Sequence, residues 1–273
     1  MKLTIVTINY NDKTGLLKTF NSIFNQSNSE FEYIVIDGGS TDGSVDLIKE
    51  NSNKINFFIS EKDNGVYNAY NKGVYNAKGE YILFVNSGDE LYNNEVVKNV
   101  IFQLSGEDLI YGDLFVHRNE TDKFIKYYPS KLKQSDFMFD SLPTPATFIK
   151  KNLFERIGYF DENFKIVSDW KFFMKAILTS NATYLKINEV VAIFYYGGVS
   201  TNGGNYTERN IVLNDLFPFS VEDYYELKEK TYYYYSNRVK LLRNIEENSK
   251  FGTKIIYLLL IITNKLFGKK SIK

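Results

Sequence analysis

Polar turns rich in Asp, Asn, Ser and Gly follow apolar runs in the first part of the chain, at Asn9–Asn11, Asp37–Gly43, Glu61–Gly65 and Asn86–Asp89. Carboxylates among small residues can accept hydrogen bonds from a sugar, a ribose or a base. Hard oxygen ligands also suit Mg²⁺ or Mn²⁺, which needs only one or two protein carboxylates when diphosphate oxygens complete its shell. The turns therefore predict a polar ligand site, provided that the fold brings them together.

The elements around these turns alternate between strand and helix. Short apolar runs predict strands at Leu3–Ile8, Tyr33–Ile36, Ile55–Ile59 and Tyr81–Val85. Helical stretches between them are predicted at Thr14–Phe24, Ser44–Glu50 and Val66–Ala77. This alternation predicts an α/β fold whose central sheet is mostly parallel, with helices on both faces. Ligands of such sheets bind at the carboxyl ends of the strands, so we expect the four turns to form one crevice.

The second half of the chain is less regular. Prolines at 129, 143 and 145 interrupt it before helices predicted at Lys151–Ile157 and Asp169–Leu178. We expect this half to build a wall of the substrate site. Two regions are predicted, a main domain over residues 1–219 and a C-terminal helical extension over residues 220–273.

Composition excludes several classes of protein. The 33 Lys and Arg residues balance 33 Asp and Glu residues, which argues against nucleic-acid binding through a global basic field. The chain has no Cys, so disulfides, thiolate metal sites and a Cys nucleophile are excluded. The single histidine, His117, leaves carboxylates as the expected acid and base groups. Neither an export signal nor a spanning segment is apparent, and we expect a cytoplasmic location.

Taken singly, the motifs also allow structural interpretations. Asp37–Gly43 could bind a ligand or form an ordinary turn in which Asp42 caps a helix. It is neither a dinucleotide fingerprint nor a phosphate-binding P-loop, because the required glycine and lysine spacings are absent. Asn86–Asp89 on its own favours a simple chain reversal.

In combination, the motifs resemble a known family. The order and spacing of Thr7–Asn11, Ile36–Ser44, Glu61–Gly73 and Asn86–Asp89 are similar to those of family 2 glycosyltransferases, in the branch that builds bacterial surface polysaccharides. The resemblance covers roughly residues 1–215. It implies the GT-A fold, a nucleotide-diphosphate sugar as donor (UDP being the expected nucleotide), a divalent cation, inversion at the anomeric carbon, and a saccharide or lipid-linked acceptor.

The resemblance also implies roles for particular residues. Thr7, Asn9 and Asp37 would line the nucleoside pocket, and Asp89 would be the metal-binding carboxylate for Mg²⁺ or Mn²⁺. The other implied donor-binding residues are Gly65, Asn68, Asn71, Lys72 and Ser87. Two positions depart from the family pattern: Ser87 stands where an Asp is usual, and Thr144-Pro145 stands where many relatives have His-Gln.

The segment from Phe160 to Phe173 resembles the part of the family that carries the catalytic base, and Asp169 matches the base position. Without the resemblance, Asp169 would be interpreted as a helix N-cap. Asp161 and Glu162 are interpreted as caps or solvated charges. Trp170 and the pair Phe172-Phe173 are expected in the core.

Two further segments resemble family features. Asp113, after Tyr111-Gly112, could touch the donor sugar or close a hairpin. The stretch Gly197–Thr201 resembles a loop that closes over the site.

The C-terminal stretch from Asn248 to Lys273 holds six Lys and no acidic residue among many apolar side chains. Such a segment suits attachment to the anionic inner face of the plasma membrane. The alternative is a helix packed on the body of the protein or on a partner subunit. For the whole chain we predict a glycosyltransferase; the alternative is a non-catalytic scaffold that binds nucleotide sugars in a polysaccharide assembly complex.

Overall fold

Four parallel strands form the N-terminal half of a nine-stranded sheet in the computed structural model, which describes residues 1–198 and 206–268. They are β1 (Leu3–Asn9), β2 (Phe31–Asp37), β3 (Phe57–Ser60) and β4 (Tyr81–Phe84), in the order β3-β2-β1-β4. Every residue of β1 and β4 is buried, as expected for strands covered on both faces. The predicted strands are confirmed, with bounds that differ by one or two residues.

Helices α1 (Lys13–Phe24), α2 (Ser44–Glu50) and α3 (Val66–Asn76) connect these strands, as predicted. The Asp12 side chain caps α1 by accepting a hydrogen bond from the Gly15 amide. Leu16, Phe20 and Ile23 recur at helical spacing on α1 and are buried. Each helix begins directly after a polar turn, so the crossovers place the turns at one edge of the sheet.

The second half of the sheet is mixed. Its strands are β5 (Glu90–Leu91), β6 (Leu109–Asn119), β7 (Asp122–Lys126), β8 (Thr147–Lys150) and β9 (Tyr184–Tyr195). The order continues β4-β8-β6-β9-β5, and β8 runs antiparallel to both β4 and β6. This half therefore extends the parallel sheet rather than forming a sheet of its own.

The helices of the second half surround that extension. They are α4 (Val96–Val100), α5 (Gln134–Phe139), α6 (Lys151–Ile157), α7 (Ser168–Met174) and α8 (Tyr206–Leu216). Both predicted helices of this half are confirmed, since α6 has the predicted bounds and α7 begins one residue before Asp169.

Asp113 lies inside β6, so the hairpin interpretation was wrong. Its carboxylate is 2.9 Å from Lys186 Nζ in a buried ion pair. The strand continues through this point because β9 pairs beside it, and a Cβ at Gly112 would lie 2.5 Å from the Glu189 carbonyl oxygen. The β6–β7 hairpin closes at Asn119–Asp122 instead.

The chain divides into two compact units, Met1–Leu216 and Phe217–Lys273. The second unit contains α9 (Val221–Tyr235), α10 (Asn237–Asn248) and α11 (Lys250–Phe267). Ser236 and Ser249 cap α10 and α11 through their side-chain oxygens. Within the described ranges, no helix combines the length and apolar character needed to cross a bilayer. The predicted assignment of a main domain to residues 1–219 and a C-terminal extension to residues 220–273 stays a prediction.

Candidate active site

The carboxyl ends of β1 and β2 meet at a hydrogen bond between two of the predicted site residues. Asn9 and Asp37 are register partners, and Asn9 Nδ2 donates to Asp37 Oδ1 over 2.7 Å. The Asn9 Oδ1 atom is buried and has no hydrogen-bond partner among the described residues. An unpartnered buried acceptor is costly, so a hydrogen-bond donor placed at this oxygen would be stabilised.

The Asp37 carboxylate organises the turn that follows it. It accepts hydrogen bonds of 2.6 Å from the hydroxyls of Ser40 and Ser60 and of 2.9 Å from the Ser40 amide. Burial would raise the pKa of Asp37, but the hydrogen bonds from Ser40, Ser60 and Asn9 outweigh burial and hold that pKa below its ordinary value. Asp37 is therefore ionised, and it fixes the turn from within because its side chain is fully buried.

Thr7 lies beneath the crevice rather than on its surface. Its side chain is fully buried, its hydroxyl donates to the Val85 carbonyl over 2.7 Å, and it accepts a 2.9 Å bond from the Tyr33 hydroxyl. Because the Thr7 hydroxyl both donates and accepts a hydrogen bond inside the core, its side chain supports β1 and is not exposed at the carboxyl end of the strand.

Gly38 lies between the Asp63 carboxylate and the Tyr10 ring, and neither of these residues was among the predicted site residues. A Cβ at this position would be 3.0 Å from Asp63 Oδ2 and 3.1 Å from Tyr10 Cδ2. The Tyr10 side chain is 67% exposed, so its ring offers a face to which a base can stack. The only sequence signal for Tyr10 and Asp63 is their place in two of the polar turns.

Lys72 reaches the same region from α3. Its ammonium lies 2.6 Å from Asp63 Oδ1 and 2.8 Å from Glu61 Oε1. Burial would lower the pKa of Lys72, but these two carboxylates raise it above its ordinary value. The structure therefore places Lys72 beside Asp63 as a charged residue that is already paired.

Asn68 and Asn71 tie α3 to the segment before Asp169. Asn71 Nδ2 donates to the Phe160 carbonyl over 2.9 Å and to Glu162 Oε1 over 2.8 Å, and Asn68 Nδ2 donates to Glu162 Oε2 over 2.9 Å. Glu162 is exposed, as predicted for a solvated charge, and both its oxygens also accept side-chain amides. Asp161 accepts a 3.1 Å bond from the Asn163 amide, as predicted for a cap, and it also forms a 3.0 Å ion pair with Lys171.

Gly65 ends the third turn and directly precedes α3. Its φ of 116° is one that favours glycine, and nothing lies within 4 Å of where a Cβ would be. The first turn of α3 is therefore open to an approaching molecule at this point.

The turn after β4 presents Asp89. This carboxylate is 9% exposed, and its Oδ1 accepts a 3.3 Å bond from the Tyr195 amide. Burial raises the pKa of Asp89 to about 7. Ser87 is half-buried, and its amide donates to the Ile8 carbonyl over 3.0 Å.

The residues of this turn fit a divalent cation. Asp89 and Asn86 offer only oxygen as metal ligand, and Asn86 Oδ1 is buried without a hydrogen-bond partner in the described ranges. A nearby cation would lower the pKa that burial raises, since it favours the charged carboxylate. No cluster of three or more acidic, His or Cys side chains suited to a metal lies among the described residues. An ion held by Asp89 and Asn86 would need further oxygen ligands from outside this turn.

Asp169 lies in the first turn of α7 and accepts three hydrogen bonds. Its Oδ1 accepts from the Tyr67 hydroxyl over 2.9 Å and from the Trp170 amide over 2.8 Å, and its Oδ2 accepts from the Thr144 hydroxyl over 2.9 Å. The N-cap interpretation was wrong, because Val167 occupies the cap position. Burial raises the pKa of Asp169, and these hydrogen bonds offset the rise only in part.

The neighbouring aromatic residues are core, as predicted. Trp170, Phe172 and Phe173 are at most 4% exposed. Of the loop Gly197–Thr201, residues 199–201 lie outside the described residues.

Helix α3 connects the separate parts of the site. Along one helix, Lys72 pairs with Asp63, the Tyr70 hydroxyl accepts a 2.7 Å bond from Asn86 Nδ2, and the Tyr67 hydroxyl contacts Asp169. Residues that are distant in sequence thereby contact one helix.

Comparison with known proteins agrees with this architecture. An uncharacterized glycosyltransferase of Mycobacterium tuberculosis is 29% identical over 218 residues, which are 78% of this chain and 81% of the relative. A PGL/p-HBAD biosynthesis glycosyltransferase of Mycobacterium bovis is 27% identical over 66% of this chain and 71% of its own.

Solved structures share the fold. S. aureus TarS in complex with UDP-GlcNAc aligns with a TM-score of 0.61 at 22% identity, over 75% of this chain and 62% of that chain. The Pyrobaculum calidifontis mannosyltransferase PcManGT, in complex with GDP-Man and Mn²⁺, aligns with a TM-score of 0.56 at 15% identity, over 96% of this chain and 80% of that chain. The predicted α/β GT-A fold with C-terminal helices is confirmed. The family model for glycosyl transferase family 2 matches residues 4–171, and the chain belongs to that family of enzymes.

Proposed function

We propose that this glycosyltransferase moves a sugar from a UDP-sugar to a saccharide or lipid-linked acceptor, with inversion, in the synthesis of a surface polysaccharide. The observation that carries the proposal is the arrangement along α3, whose side chains contact Asp63, the Asp89 turn and Asp169. A donor site, a diphosphate site and a base are what such a transfer requires in one crevice.

The donor nucleoside is assigned to the pocket around Gly38. Tyr10 supplies an exposed ring for stacking, the carboxylate of Asp63 can accept an N–H or hydroxyl hydrogen bond, and Asn9 Oδ1 has no other partner among the described residues. UDP is the preferred nucleotide because the S. aureus TarS structure holds UDP-GlcNAc in the same fold. The neighbour with GDP-Man makes GDP-sugars the necessary comparison.

Asp89 would hold the divalent cation, Mg²⁺ or Mn²⁺, beside the donor diphosphate. When bound, the ion would offset negative charge on the leaving nucleoside diphosphate. The neighbouring Gly88 has a φ of 94°, which favours glycine, and it lies in the turn between β4 and β5 that carries Asp89.

Asp169 acts as the base. As the acceptor oxygen bonds to the anomeric carbon, its proton passes to an oxygen of Asp169, and the bond between that carbon and the diphosphate oxygen breaks. The products are the glycosylated acceptor and the nucleoside diphosphate. A single displacement of this kind inverts the anomeric carbon. The raised pKa of Asp169 suits a base, because a carboxylate that is a stronger base accepts the proton more readily.

Assaying the full chain with a panel of UDP- and GDP-sugars, with Mn²⁺ and detection of released nucleotide, tests the proposal. Turnover of a UDP-sugar that Asp169→Asn abolishes would support it. Binding of UDP-sugars with no turnover in the presence of saccharide and lipid-linked acceptors would favour the scaffold instead.

The C-terminal unit supports a peripheral position on the anionic inner face of the plasma membrane. On α11, Tyr257, Leu258, Leu259 and Leu260 are each at least 51% exposed, and Lys250, Lys254 and Lys265 lie on the same helix. Exposed apolar side chains interleaved with Lys match an interfacial helix, with the apolar groups entering the lipid and the ammonium groups near lipid phosphates. Nucleic acid is not among the proposed partners.

A further inference from the structure

Two hydroxyl groups from different parts of the chain hold the two oxygens of Asp169. Tyr67, on α3, contacts Oδ1, and Thr144, in the turn before β8, contacts Oδ2, each over 2.9 Å. Tyr67 is 4% exposed and Thr144 is 8% exposed. Each oxygen thus has one of these hydroxyls beside it, and Oδ1 also accepts the Trp170 amide, so the carboxylate is held from both sides.

The Tyr67 hydroxyl is itself fixed in place. Its oxygen lies 2.6 Å from the Ile166 carbonyl as well as 2.9 Å from Asp169, and it has one proton for these two acceptors. The Ile166 amide donates to Glu208 Oε2 over 3.0 Å, which anchors this stretch of backbone. Burial raises the pKa of Tyr67 well above its ordinary value, so the phenol keeps its proton.

We propose that Tyr67 and Thr144 are positioning residues, whose hydroxyls orient the Asp169 carboxylate toward the acceptor hydroxyl. The inference rests on the proposed role of Asp169 as the base. Hydrogen bonds to a charged group favour the charged form, so both hydroxyls oppose the effect of burial on this carboxyl.

Other groups near Asp169 do not replace these donors. Tyr70, also on α3, has its hydroxyl bonded to Asn86. Lys171, on α7, pairs with Asp161 at 3.0 Å and with Asp215 at 3.2 Å. The Trp170 amide remains as a donor to Oδ1 in any side-chain variant.

The test is a direct measurement of the Asp169 pKa. In full-length protein labelled with ¹³C at the Asp carboxyl carbons, the Asp169 signal is identified by its absence in Asp169→Asn and followed against pH. We expect Tyr67→Phe and Thr144→Val each to raise this pKa by about one pH unit or more, as for the loss of one hydrogen bond to a charged group. Thr144→Ser, which keeps the hydroxyl, should restore the wild-type value.

Tyr81→Phe is the matched control. Tyr81 is also a buried tyrosine with a bonded hydroxyl, but its partners are Glu107 and Gly106. Tyr81→Phe should leave the Asp169 pKa unchanged. If a general loss of packing caused the shift, the Asp169 pKa would move in Tyr81→Phe as well as in Tyr67→Phe. An unchanged Asp169 pKa in folded Tyr67→Phe and Thr144→Val would overturn the proposal.

Measurements of turnover distinguish a failure of the positioning role from a failure of Asp169 as the base. With the donor that the panel identifies, the acid limb of the plot of kcat/KM against pH should shift to higher pH in Tyr67→Phe and Thr144→Val, by the same amount as the measured Asp169 pKa. Turnover in Asp169→Asn would reject the base, whatever the titration shows. An inactive Asp169→Asn together with an unmoved acid limb in Tyr67→Phe would reject only the positioning role.

Discussion

Asn86 Nδ2 donates a 2.7 Å hydrogen bond to the hydroxyl of Tyr70, which joins the Asp89 turn to the middle of α3. One turn earlier on the same helix, Tyr67 contacts Asp169. Because one helix carries both contacts, we expect a shift of α3 to move the residues proposed for the diphosphate and for the base together.

Replacing Asp89 with Ala should remove the metal dependence of UDP binding. In the wild type we expect Mn²⁺ or Mg²⁺ to strengthen UDP affinity, because Asp89 and the diphosphate share the ion. Calorimetry with metal and with chelator measures this difference. Glu95→Ala, at an exposed carboxylate paired with Lys98, is the control and should keep the dependence. Equal affinity with metal and chelator in the wild type would contradict the metal role.

Tyr10→Ala should weaken UDP binding without unfolding the protein. The ring is largely exposed, so little packing is lost, whereas stacking on a base is worth about 1–3 kcal/mol. We expect UDP affinity to fall by roughly 5-fold to 150-fold. Tyr127→Ala, at a tyrosine that is 73% exposed, is the control. Similar UDP affinity in the Tyr10 and Tyr127 variants would show that the base binds elsewhere.

Asp37→Asn should destabilise the protein at neutral pH. A buried carboxylate that accepts charge-assisted hydrogen bonds contributes about 1.5–3 kcal/mol per strong bond, and the amide keeps these bonds only in part. Since folding lowers the pKa of Asp37, its contribution is present above the pKa of the unfolded chain and is lost as the pH falls through the lowered folded value. Urea unfolding at several pH values, with exposed Asp46→Asn as control, measures this. A free-energy difference that grows toward acid pH would contradict it.

The parallel half of the fold could be predicted from the sequence because its signals are local. Apolar runs, polar turns and helical spacing define β1 to β4 and α1 to α3. The roles of Asp89 and Asp169 could be predicted only because both residues match motifs of the family. The contacts that surround them could not be predicted, because Tyr67 and Asp169 are 102 positions apart and only the packed sheet brings them together. The same holds for Glu162, whose partners Asn68 and Asn71 lie on another element, and for Asp113, whose strand is continued by its pairing with β9.

Deleting residues 248–273 should abolish sedimentation with anionic vesicles. The deletion removes six Lys and the exposed apolar side chains of α11, and each basic residue contributes about 1 kcal/mol near an anionic surface. Full-length protein should sediment with phosphatidylserine vesicles, less so at high salt, and weakly with neutral vesicles.

A second variant covers the case in which the shortened chain fails to fold. Changing Lys250, Lys254 and Lys265 to Glu keeps the apolar surface of α11 and reverses its charge, so sedimentation with anionic vesicles should also be lost. Sedimentation that survives both changes would contradict membrane attachment through α11.

Asp169→Asn should abolish transfer while UDP binding and folding persist. The amide keeps the shape of the side chain, and its one oxygen can accept from either Tyr67 or Thr144 while its NH2 group faces the other hydroxyl. It cannot take a proton from the acceptor hydroxyl. General-base catalysis supplies a factor of about 10²–10⁴, so the loss should appear in kcat rather than in the affinity for the donor. Asp161→Asn, which removes an acidic group of the same segment that pairs with Lys171, should retain turnover. Turnover near the wild-type rate in Asp169→Asn, measured with the same donor and acceptor, would place the base on another residue. UDP affinity serves as the internal reference, because a carboxylate needed only for folding would lower binding and turnover together, whereas a base lowers turnover alone.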